Sequence, residues 1–211
     1  MAGKETLFIT LEGGEGCGKS TQAEALYRRL RGKNLPVMLI HEPGGTALGE
    51  EIGKRLKWKK GNIAPQAELL LFAASRAQLV AEVIQPSLKE GKIVICDRFS
   101  HSTTAYQGYG RRLNPSAVKT INRLATQNVT PDLIILLDLP PQEGLARRGK
   151  RLDRFESEAL SFHRRVREGY LKMAKEEPDR WLVIDAALPR RKISQIIWKR
   201  VNELLIQKEC L

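Results

Sequence analysis

The chain has 211 residues, of which 42% are hydrophobic and 28% charged, and 36 basic against 24 acidic side chains give a formal net charge of +12. We expect residues 1–211 to form a single domain with a substantial core, and no run of about 18 apolar residues predicts a membrane span. Three cysteines without a C-x-x-C pair exclude a zinc site of that type and favour a reduced, cytoplasmic protein.

The basic excess raises the question of a nucleic-acid partner. The basic residues are spread along predicted helix faces, and no basic stretch is interleaved with the aromatic residues that a single-strand binder needs. Small polyanionic substrates explain part of the excess equally well. We therefore expect no nucleic-acid partner and no membrane partner.

The first predicted strand, 7–12, leads into EGGEGCGKST at 12–21 and then into a predicted helix at 19–31. Gly13, Gly18, Lys19 and Ser20 fit the phosphate-loop pattern G-x-x-x-x-G-K-[ST], in which backbone N–H groups and a helix N-terminus hold phosphates. Lys19 would reach the outer phosphates, and the Ser20 hydroxyl would bind Mg²⁺. The predicted ATP-binding set is Gly13, Gly14, Glu15, Gly16, Cys17, Gly18, Lys19, Ser20 and Thr21.

Further apolar segments predict four more strands separated by helices. The strands are expected at 37–42, 92–97, 133–138 and 181–185. The helices are expected around 46–57, 65–85, 141–148, 156–175 and 190–208, with one more that begins at Asn114 and Pro115. This alternation predicts an α/β fold with a five-stranded parallel sheet, covered by helices on both faces.

The strand at 92–97 ends in Asp97, which Arg98 follows directly. A carboxylate at the carboxyl end of a buried strand suits the Mg²⁺ side of a phosphate-loop site, partly through water, and an arginine fork suits phosphate. Asp138 ends the strand at 133–138 in a similar way. Because Pro140 follows closely, we interpret Asp138 as the start of an ordinary loop.

Phe72 and Arg76 lie four positions apart on one face of the predicted helix at 65–85, and Arg76 falls inside an apolar stripe. A flat ring beside a fixed donor suits a nucleobase, although a core phenylalanine with an arginine that reaches solvent explains the pattern equally well. The segment DRFSHSTTAYQG at 97–108 is predicted to be a loop rich in hydroxyl groups.

Five basic residues surround Gly149: Arg147, Arg148, Lys150, Arg151 and Arg154. Such a cluster is usually a solvated surface. In a phosphate-loop kinase it also suits a mobile lid, here predicted at about 147–156, that closes arginines over the transferring phosphoryl group. We favour the lid, because the phosphate loop supplies a lysine but no arginine.

Taken together, these segments resemble the bacterial thymidylate kinases. The resemblance rests on LEGGEGCGKST, EPGGT at 42–46, FAASRAQ at 72–78, DRFSHSTTAYQG and RRGKRLDRFE, which occur in the family's order from the first strand to the last helix. It implies a homodimer that transfers the γ-phosphoryl group of Mg·ATP to dTMP and gives dTDP. The alternatives are another small-molecule kinase of this fold or a nucleic-acid-dependent ATPase.

The resemblance also implies roles for single residues. Phe72 would stack on thymine, Arg76 would bond its O4, and Thr103 would face the base edge. Tyr106 would pack beneath the sugar, Glu15 would face the 3′-hydroxyl, Arg98 would grip the dTMP phosphate, and Pro43 would be cis. The full dTMP-binding set is Glu15, Pro43, Phe72, Arg76, Arg98, Ser102, Thr103, Tyr106 and Gln107; the metal ligands are Ser20 and Asp97; and the catalytic set is Lys19, Arg98, Arg148 and Arg151.

Two departures from the family pattern stand out. His41 replaces an arginine that often precedes EPGGT, and the lid is a little shorter than in close relatives. The position of the lid arginine nearest the transferred group therefore stays open.

Overall fold

The computed structural model of the chain describes residues 6–58, 61–147, 149 and 152–208. Its centre is a parallel sheet in the strand order β2-β3-β1-β4-β5. The strands are β1 (Phe8–Glu12), β2 (Val37–His41), β3 (Ile93–Asp97), β4 (Leu133–Asp138) and β5 (Trp181–Asp185). The predicted five-stranded parallel sheet is confirmed, and the observed strand ends differ from the predicted ones by at most one residue.

Helices connect the strands and cover both faces of the sheet. They are α1 (Lys19–Arg31), α2 (Ala47–Trp58), α3 (Pro65–Leu79), α4 (Gln85–Lys89), α5 (Ser100–Thr103), α6 (Pro115–Thr126), α7 (Pro141–Ala146), α8 (Leu160–Glu176) and α9 (Arg190–Gln207). Two π-helical segments, Val80–Ile84 and Thr104–Gly110, continue α3 and α5. Within the described residues, no helix is both long and apolar enough to cross a membrane.

The prediction of a loop at 97–108 was wrong, because Ser100–Thr103 and Thr104–Gly110 are helical. Serine and threonine often favour turns, since their hydroxyls compete for backbone groups. Here a residue distant in sequence organises the segment: the Asn122 side-chain amide donates to the Ser100 carbonyl and to the Thr104 hydroxyl, both at 3.1 Å. The segment is therefore rigid enough to aim side chains.

The helix predicted at 156–175 begins later, at Leu160. The Asp153 carboxylate accepts the backbone N–H groups of Phe155 and Glu156 at 2.8 and 2.9 Å. A side chain that bonds the backbone two and three residues ahead stabilises a turn at the expense of a helix. The last residues of the predicted lid segment therefore form a fixed turn before α8.

Consecutive residues of the central strands are buried against opposite layers. On β1, Ile9 packs in the cluster with α1 and α9, whereas Phe8 packs against the end of α3 and Phe99. Full burial of one such side chain stabilises the fold by about 1.5–3 kcal/mol relative to exposure. This two-sided core fixes the carboxyl ends of β1 and β3, where an open α/β sheet places its ligands.

Candidate active site

One cavity of about 1020 Å³ opens at the carboxyl ends of the strands. It is lined by most of the residues that the sequence predicts for the site: Glu15, Gly16, Cys17, Gly18, Lys19, Ser20, Thr21, Pro43, Phe72, Arg76, Asp97, Arg98, Ser102, Thr103, Tyr106 and Gln107. Gly13 and Gly14 belong to the same loop but do not line the cavity. Arg148 and Arg151 lie outside the described residues. The fold thus brings the residues predicted to bind the phosphoryl donor and those predicted to bind the acceptor into one cavity.

The phosphate loop connects β1 to α1, and its shape depends on a close backbone contact. Gly16 has φ +65°, and a Cβ built on it would lie 2.0 Å from the Gly144 carbonyl oxygen of α7. Lys19 folds back so that its ammonium donates to the Gly14 carbonyl at 2.6 Å. The loop is therefore closely fixed by its neighbours, with its lysine held beside the backbone that would face phosphates.

The two predicted metal ligands are in contact. The Ser20 hydroxyl donates to Asp97 Oδ2 at 2.5 Å, and Asp97 Oδ1 is buried without a hydrogen-bond partner among the described residues. Hydroxyl and carboxylate oxygens are the donors that Mg²⁺ prefers, and the unpartnered oxygen leaves an acceptor for a metal-bound water. Asp138, the rival carboxylate, is instead held by Arg167 at 2.7 and 2.8 Å.

Arg98 and Tyr106 converge on Glu15. One Arg98 nitrogen lies 2.9 Å from Glu15 Oε1, and the Tyr106 hydroxyl donates to the same oxygen at 2.5 Å. Burial alone would raise the pKa of Glu15, but the charges of Arg98 and Lys19 and the Tyr106 hydrogen bond outweigh it and lower the pKa to about 2. Glu15 is therefore ionised at neutral pH and orients the groups around it.

Arg76 is only 1% exposed, and the acceptor that its burial requires is Glu42. Its Nε and Nη2 donate to the Glu42 carboxylate at 2.5–3.1 Å. Its Nη1 donates to Thr103 at 2.9 Å and to Asn122 at 3.0 Å. These bonds use four of the five guanidinium N–H groups. The fifth, on Nη2, has no acceptor among the described residues and belongs to a side chain that lines the cavity.

Aromatic rings form the apolar wall of the cavity. The Phe72 ring is partly exposed and lies 5.7 Å from the Phe155 ring, centre to centre. Phe155 also lies 6.1 Å from Tyr106 at a steep angle. Phe155, which was not predicted from the sequence, follows the predicted lid cations and brings the end of that segment onto Phe72.

Gln107 and Arg154 share a buried partner, Glu68. Gln107 donates to Glu68 at 2.7 Å, Arg154 at 2.6 Å, and Arg111 makes two bonds of 3.1 Å to the same carboxylate. Arg154 also donates to the Leu56 carbonyl at 2.8 Å. Of the five predicted lid cations, Arg154 therefore holds the end of the predicted lid segment against α2 and α3.

Glu12 is a further residue that the sequence analysis did not select. Its buried carboxylate accepts the Phe99 N–H at 2.9 Å, the Ser102 hydroxyl at 2.6 Å and the Tyr170 hydroxyl at 3.0 Å. Burial raises the pKa of Glu12 to about 7, against the lowering effect of Ser102 and Arg98. The position of Glu12 at the end of an apolar strand is visible in the sequence, whereas its hydrogen bond from Tyr170 of α8 is not.

Pro43 follows Glu42 through a cis peptide bond, as the resemblance implied. It lies against α2, because a Cβ built on Gly53 would come within 3.1 Å of the Pro43 carbonyl oxygen. Lys57, in the last turn of α2, also lines the cavity and was not predicted.

Comparison with known proteins gives a consistent result. The family model described as thymidylate kinase matches residues 11–197. A thymidylate kinase of Dehalococcoides mccartyi is 54% identical over 202 residues, which cover 95% of this chain and 98% of that protein. A thymidylate kinase of Trichlorobacter lovleyi is 46% identical, with 90% of this chain and 94% of that one covered.

A solved structure agrees with the sequence comparisons. The crystal structure of thymidylate kinase from Ehrlichia chaffeensis is 38% identical, covers 85% of this chain and 92% of its own, and has a TM-score of 0.71. The shared fold, the phosphate loop at one end of the cavity and the match over most of the sequence agree. The chain belongs to the thymidylate kinase family.

Proposed function

We propose that this protein phosphorylates dTMP to dTDP with ATP as the phosphoryl donor. The observation that carries the proposal is that one cavity is lined both by the phosphate-loop residues Lys19 and Ser20 and by Phe72, Arg76 and Tyr106. A kinase must hold donor and acceptor in one water-excluding space, because positioning and charge neutralisation supply most of the rate. Family membership supports the same reaction.

The acceptor base would lie against Phe72. A nucleobase stacks well on an aromatic face, and the remaining Arg76 N–H is suited to a carbonyl acceptor such as thymine O4. Glu42 and Asn122 hold the guanidinium so that it cannot turn away. Because Thr103 already accepts a bond from Arg76, its hydroxyl proton stays free for the base edge.

The sugar and phosphate of the acceptor would occupy the region around Tyr106 and Arg98. The Tyr106 ring is buried beside Phe155, and its hydroxyl is fixed by Glu15, so that the ring is a rigid floor. Arg98 presents a guanidinium fork that suits two of the three terminal oxygens of a phosphate monoester. Glu15, ionised at neutral pH, is a suitable acceptor for the 3′-hydroxyl proton.

The donor phosphates would lie along Gly13–Thr21, with Lys19 on the outer phosphates. Ser20 and Asp97 would hold Mg²⁺, which neutralises phosphate charge when bound. Protein groups need not remove a proton from the acceptor, because a phosphate monoester has its second pKa at about 6 and is already a dianion at neutral pH. Lys19, Arg98 and the lid arginines Arg148 and Arg151 would balance the charge that moves during transfer.

A coupled ADP-release assay over a panel of nucleoside monophosphates tests the proposal. We expect dTMP to be the preferred acceptor, with finite activity on dUMP, because one methyl group in an apolar pocket discriminates by only about 1–3 kcal/mol. Equal turnover of dAMP, dGMP or dCMP would refute the base site. Stimulation of ATP hydrolysis by DNA without any monophosphate would point instead to a nucleic-acid-dependent ATPase.

We also propose that the protein is a homodimer, as the family resemblance implies. The contacting helices α3 and α6 each expose a large apolar side chain, Leu70 at 57% and Leu124 at 79%. Light scattering on wild type and Leu124→Glu tests this, since a charge at the interface would shift the mass toward the monomer. A cytoplasmic location is proposed from the cysteine usage, and cell fractionation tests it.

A further inference from the structure

Lys57 is a cation on the cavity wall without a counterion of its own. It lies in the last turn of α2 and lines the cavity beside Arg98 and Asp153. Its carbonyl accepts the Arg154 N–H at 3.2 Å, but its ammonium makes no hydrogen bond or ion pair with the described residues. A partly buried ammonium that donates no hydrogen bond loses hydration, and only the longer-range attraction of nearby carboxylates offsets that loss.

The surrounding charged groups act on Lys57 without bonding its ammonium. Burial lowers the pKa of the Lys57 ammonium, and the positive charge of Arg98 lowers it further, while Asp153, Glu15 and Asp97 act in the opposite direction. None of the three carboxylates bonds the Lys57 ammonium: Glu15 bonds Arg98 at 2.9 Å, Asp97 accepts from Ser20 at 2.5 Å, and Asp153 accepts from the Phe155 N–H at 2.8 Å. Two cations therefore face the same space, and a dianion placed there would attract both.

We propose that Lys57 binds the 5′-phosphate of the acceptor nucleotide together with Arg98. This inference rests on the proposed function and adds a residue to it. Arg98 would supply the planar fork, and Lys57 a mobile point charge on the opposite side of the phosphate. The donor phosphates have their own lysine, Lys19, within the phosphate loop.

The position of α2 favours binding of the acceptor phosphate over the donor phosphates, because the helix packs beside Pro43 of the predicted dTMP-binding set. The helix packs against the backbone of cis-Pro43, where a Cβ on Gly53 would meet the Pro43 carbonyl at 3.1 Å. The Leu56 carbonyl and the Lys57 carbonyl are both held by Arg154. The end of α2 is thus fixed from two sides, so that Lys57 reaches the cavity from a rigid base.

The consequence is a preference for a phosphorylated acceptor. Calorimetric titration of dTMP and of thymidine, which lacks the phosphate, separates binding of the phosphate from binding of the base and sugar. In Lys57→Met we expect at least a tenfold loss of dTMP affinity and less than a twofold change for thymidine. Lys57→Arg should regain most of the dTMP affinity. Lys54→Met, at an exposed position one turn earlier on α2, is the matched control and should change neither.

Thymidine binding also reports whether each variant has kept its fold. An equal loss for both ligands, an unchanged dTMP affinity, or a raised KM for ATP with an unchanged KM for dTMP would each overturn the inference. If the wild-type protein neither binds dTMP nor forms dTDP, the proposed function fails as well. If the wild type is active and Lys57→Met matches it, only the role of Lys57 is refuted.

Discussion

Replacing Arg76 with methionine tests whether the buried Arg76–Glu42 pair supports both the fold and the base pocket. The methionine keeps most of the apolar stem but leaves the Glu42 carboxylate buried without its cation. Burial already raises the pKa of Glu42, and Arg76 is what opposes that effect. Two further acceptors, on Thr103 and Asn122, lose their donor.

The expected loss follows from the burial of both partners, which are 1% and 3% exposed at their side chains. Removing one member of a buried ion pair costs about 3–5 kcal/mol. In a domain of this size, each kcal/mol shifts Tm by about 2–4 °C, so that the expected fall is roughly 6–20 °C. If both partners are replaced, as in Arg76→Met with Glu42→Met, the loss should fall short of the sum of the single losses by at least about 1 kcal/mol.

Urea denaturation followed by tryptophan fluorescence measures the losses in free energy of unfolding, with Arg28→Met as the control. Arg28 pairs with Glu24 on α1 but is 76% exposed, and such a pair contributes less than about 1 kcal/mol. At a temperature where the variant is folded, Arg76→Met should raise KM for dTMP far more than KM for ATP. A stability loss as small as that of Arg28→Met, or equal effects on both substrates, would refute the reasoning.

Three other expectations follow from the site. Glu12→Gln should remove a pH dependence of the free energy of unfolding. The pKa of Glu12 is about 7 in the folded protein and 4.5 in the unfolded chain, so that stability present below pH 4.5 is lost as pH rises through 7. The wild type should thus lose about 3 kcal/mol relative to the variant over this window, and a constant difference in denaturation midpoints would contradict it. Arg148→Ala or Arg151→Ala should lower kcat by a factor of about 10³–10⁵ if that residue contacts the transferred phosphoryl group. A loss of kcat below about tenfold in both variants would mean that the basic cluster is an ordinary solvated surface. Tyr106→Phe should keep the kcat/KM ratio of dTMP to its ribonucleotide analogue, because the ring stays against Phe155, whereas Tyr106→Ala should narrow it; an unchanged ratio in the alanine variant would place sugar selection elsewhere.

Much of the fold could be predicted because buried parallel strands are continuous apolar runs, such as LIILLD at 133–138. The phosphate loop and the Asp97–Arg98 pair were visible for a similar reason, since each follows such a strand directly. Arg76 could be recognised as needing an acceptor. Its identity, Glu42, lies 34 positions away and could not be read from local spacing.

The failures share a cause, which is that distant groups override local preference. The segment after Arg98 is rich in turn-forming residues, yet Asn122 holds it in helical form. In the sequence, Lys57 is one of the basic residues spread along predicted helix faces. Only the packing of α2 beside the cavity shows where its ammonium points, and sequence periodicity carries no such information.

The contact between Gly16 and Gly144 has a consequence for how this enzyme can be redesigned. A side chain at position 16 would have its first carbon 2.0 Å from a backbone oxygen of α7, at a φ of +65° that L-residues rarely adopt. An arginine grafted into the phosphate loop at this point would therefore displace either the loop or the helix. Because both contacts are with backbone atoms, a side chain at 144 would add a second clash, with the Glu15 carbonyl at 2.2 Å, and we expect a substitution at position 16 to be tolerated only if 139–146 are exchanged as a block. A cation for the transferred group has to be recruited from another segment of the chain.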